Sequence, residues 1–403
     1  MSYDISIWCT RAYDDPKQLP SADRWTCTEN NWSCAGRGWM INTGPGIRVE
    51  EEDIPDAVLG SMPGIQYMVE ATLEPMGAPM AGTAMLRKLA LSVSGTARGV
   101  IFDPRKESVE LPRGIKKYSS PKRKNAQRFA LLEFSWWFAH ARILEESWID
   151  SFLSLLEKYL PDGMPRRYGL REPPRHIYSE TGRTHLKEFL AKNLSDSVVW
   201  YANKPVAQWS FSVDHGCGWR KLGGGMAYRC NRISATLDAA VLGQPGWPLA
   251  LRRFWRKASD LIQPFFGDIR TLDGYTGRLP HVWSDGDTEF NPVQSWWWNG
   301  IPSKLGHAAV VGQPYLDLWP QIATAGESGD SLVFVSTDDW TGQQDLTALT
   351  GKVPAAIVMP AIPNRRETGP GAVGLVYPEI FPFGDMPPGV KIRKKPWWRV
   401  WNR

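Results

Sequence analysis

The sequence predicts an α+β protein: two α/β modules with mixed or antiparallel sheets and amphipathic helices packed on one face. Three observations carry this. Phe129 to Phe138 (FALLEFSWWF) is an aromatic and apolar run of the kind a central strand needs. Trp148, Ile149, Phe152, Leu153, Leu155, Leu156, Tyr159 and Leu160 recur with helical period. A second stripe, Leu251, Phe254, Trp255, Ala258, Leu261 and Ile262, does the same further on. Hydrophobic residues make up 42% and charged residues 22% of the 403, an ordinary globular balance that argues against disorder. The 21 tryptophans suit packed cores and contact surfaces alike.

Taken in order, Tyr3 to Trp8 reads as a strand and Gly38 to Ile41 as a short one. An acidic cluster follows at Glu50, Glu51, Glu52, Asp53 and Asp56. Residues 86–102 alternate weakly and end in the strand-like Gly99–Asp103. Arg113 to Asn125, with Ser119, Ser120 and Pro121, reads as an exposed loop. Ser147, three residues before Asp150, is a capping-box variant opening the first long helix, and Pro161 and Gly163 close it. Arg166 to Leu170 returns as a strand, and Leu186, Phe189, Leu190 and Leu194 mark a second helix. Val198–Tyr201 and Ala207–Val213 read as strands, and the glycine-rich run His215–Gly225 as a loop. Pro248 sits at a favoured first position of the helix that Pro264 ends. Ala308–Val311 and Ser331–Val335 are short strands. These two sets of elements place a domain boundary near residue 215, giving 1–215 and 216–403.

The net charge of +5 hides a partition. Arg113 to Arg128, Arg252 to Lys257 and Lys391 to Arg403 carry seven, four and six bases and no acid, and the rest of the chain holds 30 bases against 42 acids, a net of −12. A uniformly basic nucleic-acid binder would not divide this way. The N-terminus MSYDISIWCT has neither a basic nor an apolar signal region, and no apolar run is long enough to span a membrane. With five cysteines, Cys9, Cys27, Cys34, Cys217 and Cys230, the expectation is reduced thiols in a cytoplasm.

Enzyme signatures are sparse. There is no nucleophile elbow, P-loop or H-E-x-x-H. Gly369-Pro-Gly371-Ala-Val-Gly374 matches a dinucleotide fingerprint in letters, but Arg365, Arg366 and Glu367 precede it where a strand is required, so a turn is the expectation. Asp285-x-Asp287-x-Glu289 has calcium-loop spacing, but Phe290 stands where the turn needs glycine, so an acidic surface loop is expected. His215-x-Cys217 with Cys230 lacks a fourth zinc ligand at usable spacing. Asp214, His215 and Cys217 form the closest approach to a nucleophile arrangement, with a structural loop the favoured reading. No catalytic residue, cofactor or metal is assigned.

The most distinctive string is Trp296-Trp297-Trp298-Asn299-Gly300-Ile301-Pro302, continuing through Leu305-Gly306, Gly312-x-Pro314-Tyr315 and Leu318-Trp319-Pro320. This part resembles the immunity protein 52 type of bacterial polymorphic-toxin systems. FALLEFSWWF through Pro165-Arg-Arg-Tyr-Gly-Leu170 is similar in pattern to immunity proteins that accompany type VI secretion effectors. Together they cover about residues 125–320, and the N-terminal 120 residues and basic tail have no counterpart. The resemblance implies a cytoplasmic antidote that occludes a cognate toxin without chemistry of its own, with toxins of restriction-endonuclease-like fold as the associated partners. A nuclease mouth is basic because it attracts a polyanion, so an acidic inhibitor surface suits it. The expected toxin-binding residues are therefore Glu50, Glu51, Glu52, Asp53, Asp285, Asp287 and Glu289, with Trp296 and Trp298 as possible aromatic contacts. The competing expectation is a nucleic-acid-associated protein using 113–128, 252–257 and 391–403, since the tail mixes bases with aromatics. Nucleic acid is not the expected partner, and no membrane insertion is expected.

Overall fold

The computed structural model describes residues 2–28, 31–106, 108–111, 114–117, 128–140, 145–193, 197–213, 216–222, 225–284, 297–329, 331–337, 340, 346–360 and 376–392. The chain divides between Gln127 and Arg128 into two units, each α+β. The boundary is therefore not near residue 215. Strands Val206–Ser212 and Asn231–Asp238, on either side of that position, are hydrogen-bonded neighbours in one sheet.

The first unit is built on a nine-stranded antiparallel sheet. Its order is Thr26–Cys27, Trp32–Gly36, Trp39–Thr43, Tyr67–Glu74, Tyr3–Cys9, Gly99–Asp103, Ser108–Leu111 and Gly114–Lys117, with Ile47–Arg48 also on Tyr67–Glu74. The first part of 86–102, read as weak alternation, belongs instead to the helix Met80–Thr96. Its Leu86, Leu89, Ala90 and Val93 pack on Ile5, Ile7, Ile41, Val69, Ala71 and Leu73. The helical period is present in the letters, but Gly, Ala, Ser and Thr dilute it. One of these small residues is required: a Cβ at Gly82 would come within 2.9 Å of the Trp39 side chain. On the opposite face Trp8, Met68, Val100 and Val109 are covered by Val49, Ile54, Val58 and Ile65. Part of the expected loop after Arg113 is instead the edge strand Gly114–Lys117.

The second unit holds an eleven-stranded antiparallel sheet. Phe129–Phe138 lies near its middle, between Asn231–Asp238 and Phe266–Arg278. On one side run Val206–Ser212, Val198–Tyr201, Arg167–Gly169 and His176–Ile177; on the other, Ala308–Gly312, Leu332–Ser336 and Glu327–Ser328. The middle strand is apolar almost throughout because both of its faces are covered. Leu132, Phe134, Trp136 and Phe138 face helices Glu146–Tyr159 and Trp247–Ile262, while Trp137 joins the core on the other side.

The helix-side core centres on Trp136. Its ring stacks on Trp255 at 4.5 Å and on Trp209 at 6.4 Å, and its indole N–H donates to Ser259 Oγ at 2.8 Å. Gly267 makes room for this stack, since a Cβ there would lie 2.9 Å from the Trp255 ring. The helix Glu146–Tyr159 has Glu145 rather than Ser147 at its N-cap position. The glycine-rich run at 215–225, read as a loop, contributes to a hairpin, Gly218–Leu222 with Gly225–Arg229. Trp219 and Tyr228 meet edge-to-face across it at 5.7 Å and pack on Phe381.

Ser259→Ala leaves the buried Trp136 N–H without its acceptor and should lower stability by about 1–3 kcal/mol. Urea unfolding checks this, as a lower midpoint at unchanged m-value.

Candidate functional site

The acidic cluster of the first unit sits on a fixed turn. Val49 donates its N–H to Gln66 O at 2.8 Å, after which the chain leaves the sheet as the 3-10 turn Glu51–Asp53. Asp53 is 8% exposed, and its carboxylate accepts the Glu50 N–H at 2.9 Å. Its own N–H donates to Glu50 O at 3.0 Å. Val49 and Ile54, on either side, are buried against Trp8 and Met68. Asp53 therefore holds the turn, Glu52 is half-buried, and Glu51 stands exposed. The four acids that look equivalent as letters have different tasks.

Asp285, Asp287, Glu289 and Trp296 lie outside the described residues, as do Asp214, His215 and the Gly369–Gly374 segment. Trp298 is 1% exposed and is no surface contact. It donates its indole N–H to Tyr315 Oη at 2.8 Å and packs on Trp137, Phe265 and Phe266. Burial pushes the Tyr315 hydroxyl far above its ordinary range, so it stays protonated and available as this acceptor.

Two cations of the basic helix serve the fold. Arg252 donates to Thr337 O at 3.2 Å and lies over the Trp340 ring at 5.3 Å. Arg256 pairs with Glu327 and lies over the Phe334 ring at 5.3 Å. Arg253 and Lys257 are exposed, the latter 3.7 Å from Asp260. Of the tail, Lys391–Ile392 pairs in parallel with Val376–Tyr377, and the residues beyond 392 lie outside the described set.

The thiols are poorly placed for nucleophilic work. Burial pushes Cys9 up to about 12 and Cys230 well above the ordinary thiol value. Cys217 Sγ donates to Phe138 O at 3.7 Å. No disulfide links the five cysteines. Among the described residues no three His, Cys, Asp or Glu side chains converge as a metal set. No helix there is long and apolar enough to cross a membrane.

A charged seam that the sequence reading passed over crosses three strands of the second sheet. Glu133, 6% exposed, pairs with Arg232 at 2.5 Å and accepts from Ser135 Oγ at 2.9 Å. Arg232 also donates to Ser135 Oγ at 2.9 Å and lies over the Trp137 ring at 5.5 Å. Burial pulls the Arg232 pKa down while the Glu133 carboxylate beside it pulls the other way. Asp268, 2% exposed, pairs with Arg270 and accepts the Gly306 N–H at 2.8 Å. The signal was a lone acid inside FALLEFSWWF, and its partner is 99 residues away. These groups are neutralised within the fold, which makes them structural.

No family profile matches the chain, and no curated protein matches it in sequence. Among solved structures, a Pseudomonas aeruginosa T6SS protein is similar at 12% identity, with 56% of this chain and 68% of that chain covered and a TM-score of 0.31. A likeness at that level carries neither fold nor function to this chain.

Glu133→Ala removes the carboxylate that pairs with the buried Arg232 and should cost about 3–5 kcal/mol, whereas Glu133→Leu with Arg232→Met should cost far less. Chemical denaturation of both variants checks the order. In the native protein, iodoacetamide should alkylate the exposed Cys27 first and leave Cys9 and Cys230 unmodified, as peptide mapping would read.

Proposed function

We propose that this chain is a cytoplasmic immunity protein, which binds a cognate bacterial toxin of nuclease chemistry and occludes its active site without catalysis. The observation that carries the reading is the acidic turn. Asp53 and the buried Val49 and Ile54 hold the backbone, so that Glu51 stands exposed on a preset support. Preset charges lose little entropy on binding, and carboxylates complement the basic mouth that a nuclease needs for its polyanionic substrate. The net of −12 outside the three basic segments supports the same partner chemistry. So does the resemblance of residues 125–320 to immunity proteins of polymorphic-toxin and type VI systems. The nucleic-acid alternative is less well supported, because Arg252 and Arg256 are engaged by Thr337 and Glu327 of the same unit.

The test is co-expression with the neighbouring open reading frame. That product, expressed alone, should be toxic; with this chain, growth should recover and the two should co-purify. A harmless neighbour that does not bind would sink the reading. Glu51→Lys with Glu52→Lys should weaken the complex by at least tenfold and slow its formation most at low salt, with the native circular dichroism retained. Full binding by that double variant would remove the acidic turn as the interface while leaving the antidote reading in place.

A further inference from the structure

The hairpin Gly218–Leu222 with Gly225–Arg229 has a cysteine just outside each strand, Cys217 before the first and Cys230 after the second. The register runs from Leu222 opposite Gly225 at the tip to Gly218 opposite Arg229 at the base, so one further step sets Cys217 opposite Cys230. The kind of pairing at that step follows from Tyr228. Its N–H donates to Tyr377 Oη at 2.7 Å, and its carbonyl accepts the Trp298 N–H at 2.9 Å. Both bonds lead away from Trp219, so Trp219 and Tyr228 face each other as a non-hydrogen-bonded pair. Pair types alternate along an antiparallel ladder, and Cys217 with Cys230 falls two residues further on, at the same type. There the Cα atoms come about 4.5 Å apart, within the span of about 4.4–6.8 Å that a disulfide bridges.

Side-chain direction agrees. Residues two apart on a strand share a face, and Trp219 and Tyr228 meet edge-to-face at 5.7 Å. Cys217 and Cys230 therefore point to the side on which those rings lie. Cys230, 1% exposed, belongs to the core around Trp298 and Tyr315, and Cys217 packs against that core. A separate contact brings Cys217 to the same place. Its Sγ lies 3.7 Å from Phe138 O, and Phe138 is the ladder partner of Asn231, the residue after Cys230. Burial first, and then the neighbouring Cys217 thiol, push the Cys230 thiol well above its ordinary value.

We propose that Cys217 and Cys230 are a reversible disulfide site, closed by exchange with a small-molecule disulfide, which locks the base of this hairpin. Cys217, half-buried, reacts first. It gives its proton to water, its thiolate attacks one sulfur of the small disulfide, and a mixed disulfide forms as one thiolate leaves. Cys230 then gives up its proton and attacks Cys217 Sγ, expelling the second thiolate. The two released thiolates take up the two protons. Two protein thiols are thus oxidised to one disulfide, and the small disulfide is reduced to two thiols. In a reducing compartment the pair stays open. Once closed, the bond also fixes Trp219, which packs on Tyr377 at 4.8 Å and Phe381 at 5.4 Å.

The test incubates the folded full chain with oxidised glutathione, then alkylates the remaining thiols and maps tryptic peptides. Arg220, Lys221 and Arg229 lie between the two cysteines, so trypsin separates them unless a bond joins them. A linked Cys217–Cys230 peptide should appear and should vanish on treatment with dithiothreitol. The closed form should unfold a few degrees higher than the reduced form. Cys230→Ser should give no linked peptide and should accumulate one glutathione on Cys217, the intermediate that the unaltered protein passes through. Folded, unaltered protein that carries glutathione on Cys217 without a linked peptide, at every ratio of oxidised to reduced glutathione, overturns the proposal. So does a linked peptide that forms only after unfolding in urea, which would show that the fold holds the two sulfurs apart.

Discussion

Burial of one strand on both faces is the constraint on which the second unit depends. Phe129–Phe138 has helices on one side and the turns of the C-terminal part on the other, so nothing along it can be traded for a polar surface. Trp136 is the point where this constraint is most severe. It must stack on Trp255, lie beside Trp209 and find an acceptor for its N–H, and Ser259 on the facing helix supplies that acceptor. The helix can come that close only because Gly267 on the next strand has no side chain. Two-sided burial also explains the charged seam. Where a strand residue cannot reach water, a charge is tolerated only with its partner alongside, as Glu133 has Arg232.

What was legible in the sequence follows from which residues carry their own period. The strands at Tyr3–Cys9 and Phe129–Phe138 and the stripe from Leu251 to Ile262 announce themselves because large apolar residues mark the buried face. The helix Met80–Thr96 does not, because its contact with Trp39 demands glycine and its neighbours are small. The hairpin at 218–229 was hidden by glycines that read as a loop. Its stability comes from Trp219 and Tyr228 meeting rings more than 150 residues away, and no local pattern reports that. The same long-range closure moved the unit boundary, since the strands flanking residue 215 belong to one sheet.

The candidate surface was legible as charge and not as roles. Four consecutive acids at 50–53 are visible in the letters, but the division between Asp53, which holds the turn, and Glu51, which stands exposed, needs the hydrogen bonds. Trp298 carried the opposite lesson. A tryptophan in a distinctive string suggested contact, and the fold uses it to bridge Trp137 and Tyr315. Cys217 and Cys230 were legible only as an incomplete zinc set, because the hairpin that sets them opposite each other was read as a loop.

The margins of the large sheet have a further consequence. A sheet of eleven strands offers unpaired backbone groups at both ends, where another chain could add on. Here each end finishes in a strand of two residues, His176–Ile177 and Glu327–Ser328, and the second is held by Arg256 of the facing helix through Glu327. Such short margins make poor templates for edge-to-edge growth. Arg256, one of the cations that resembled a nucleic-acid grip, thus helps a wide sheet end within its own molecule.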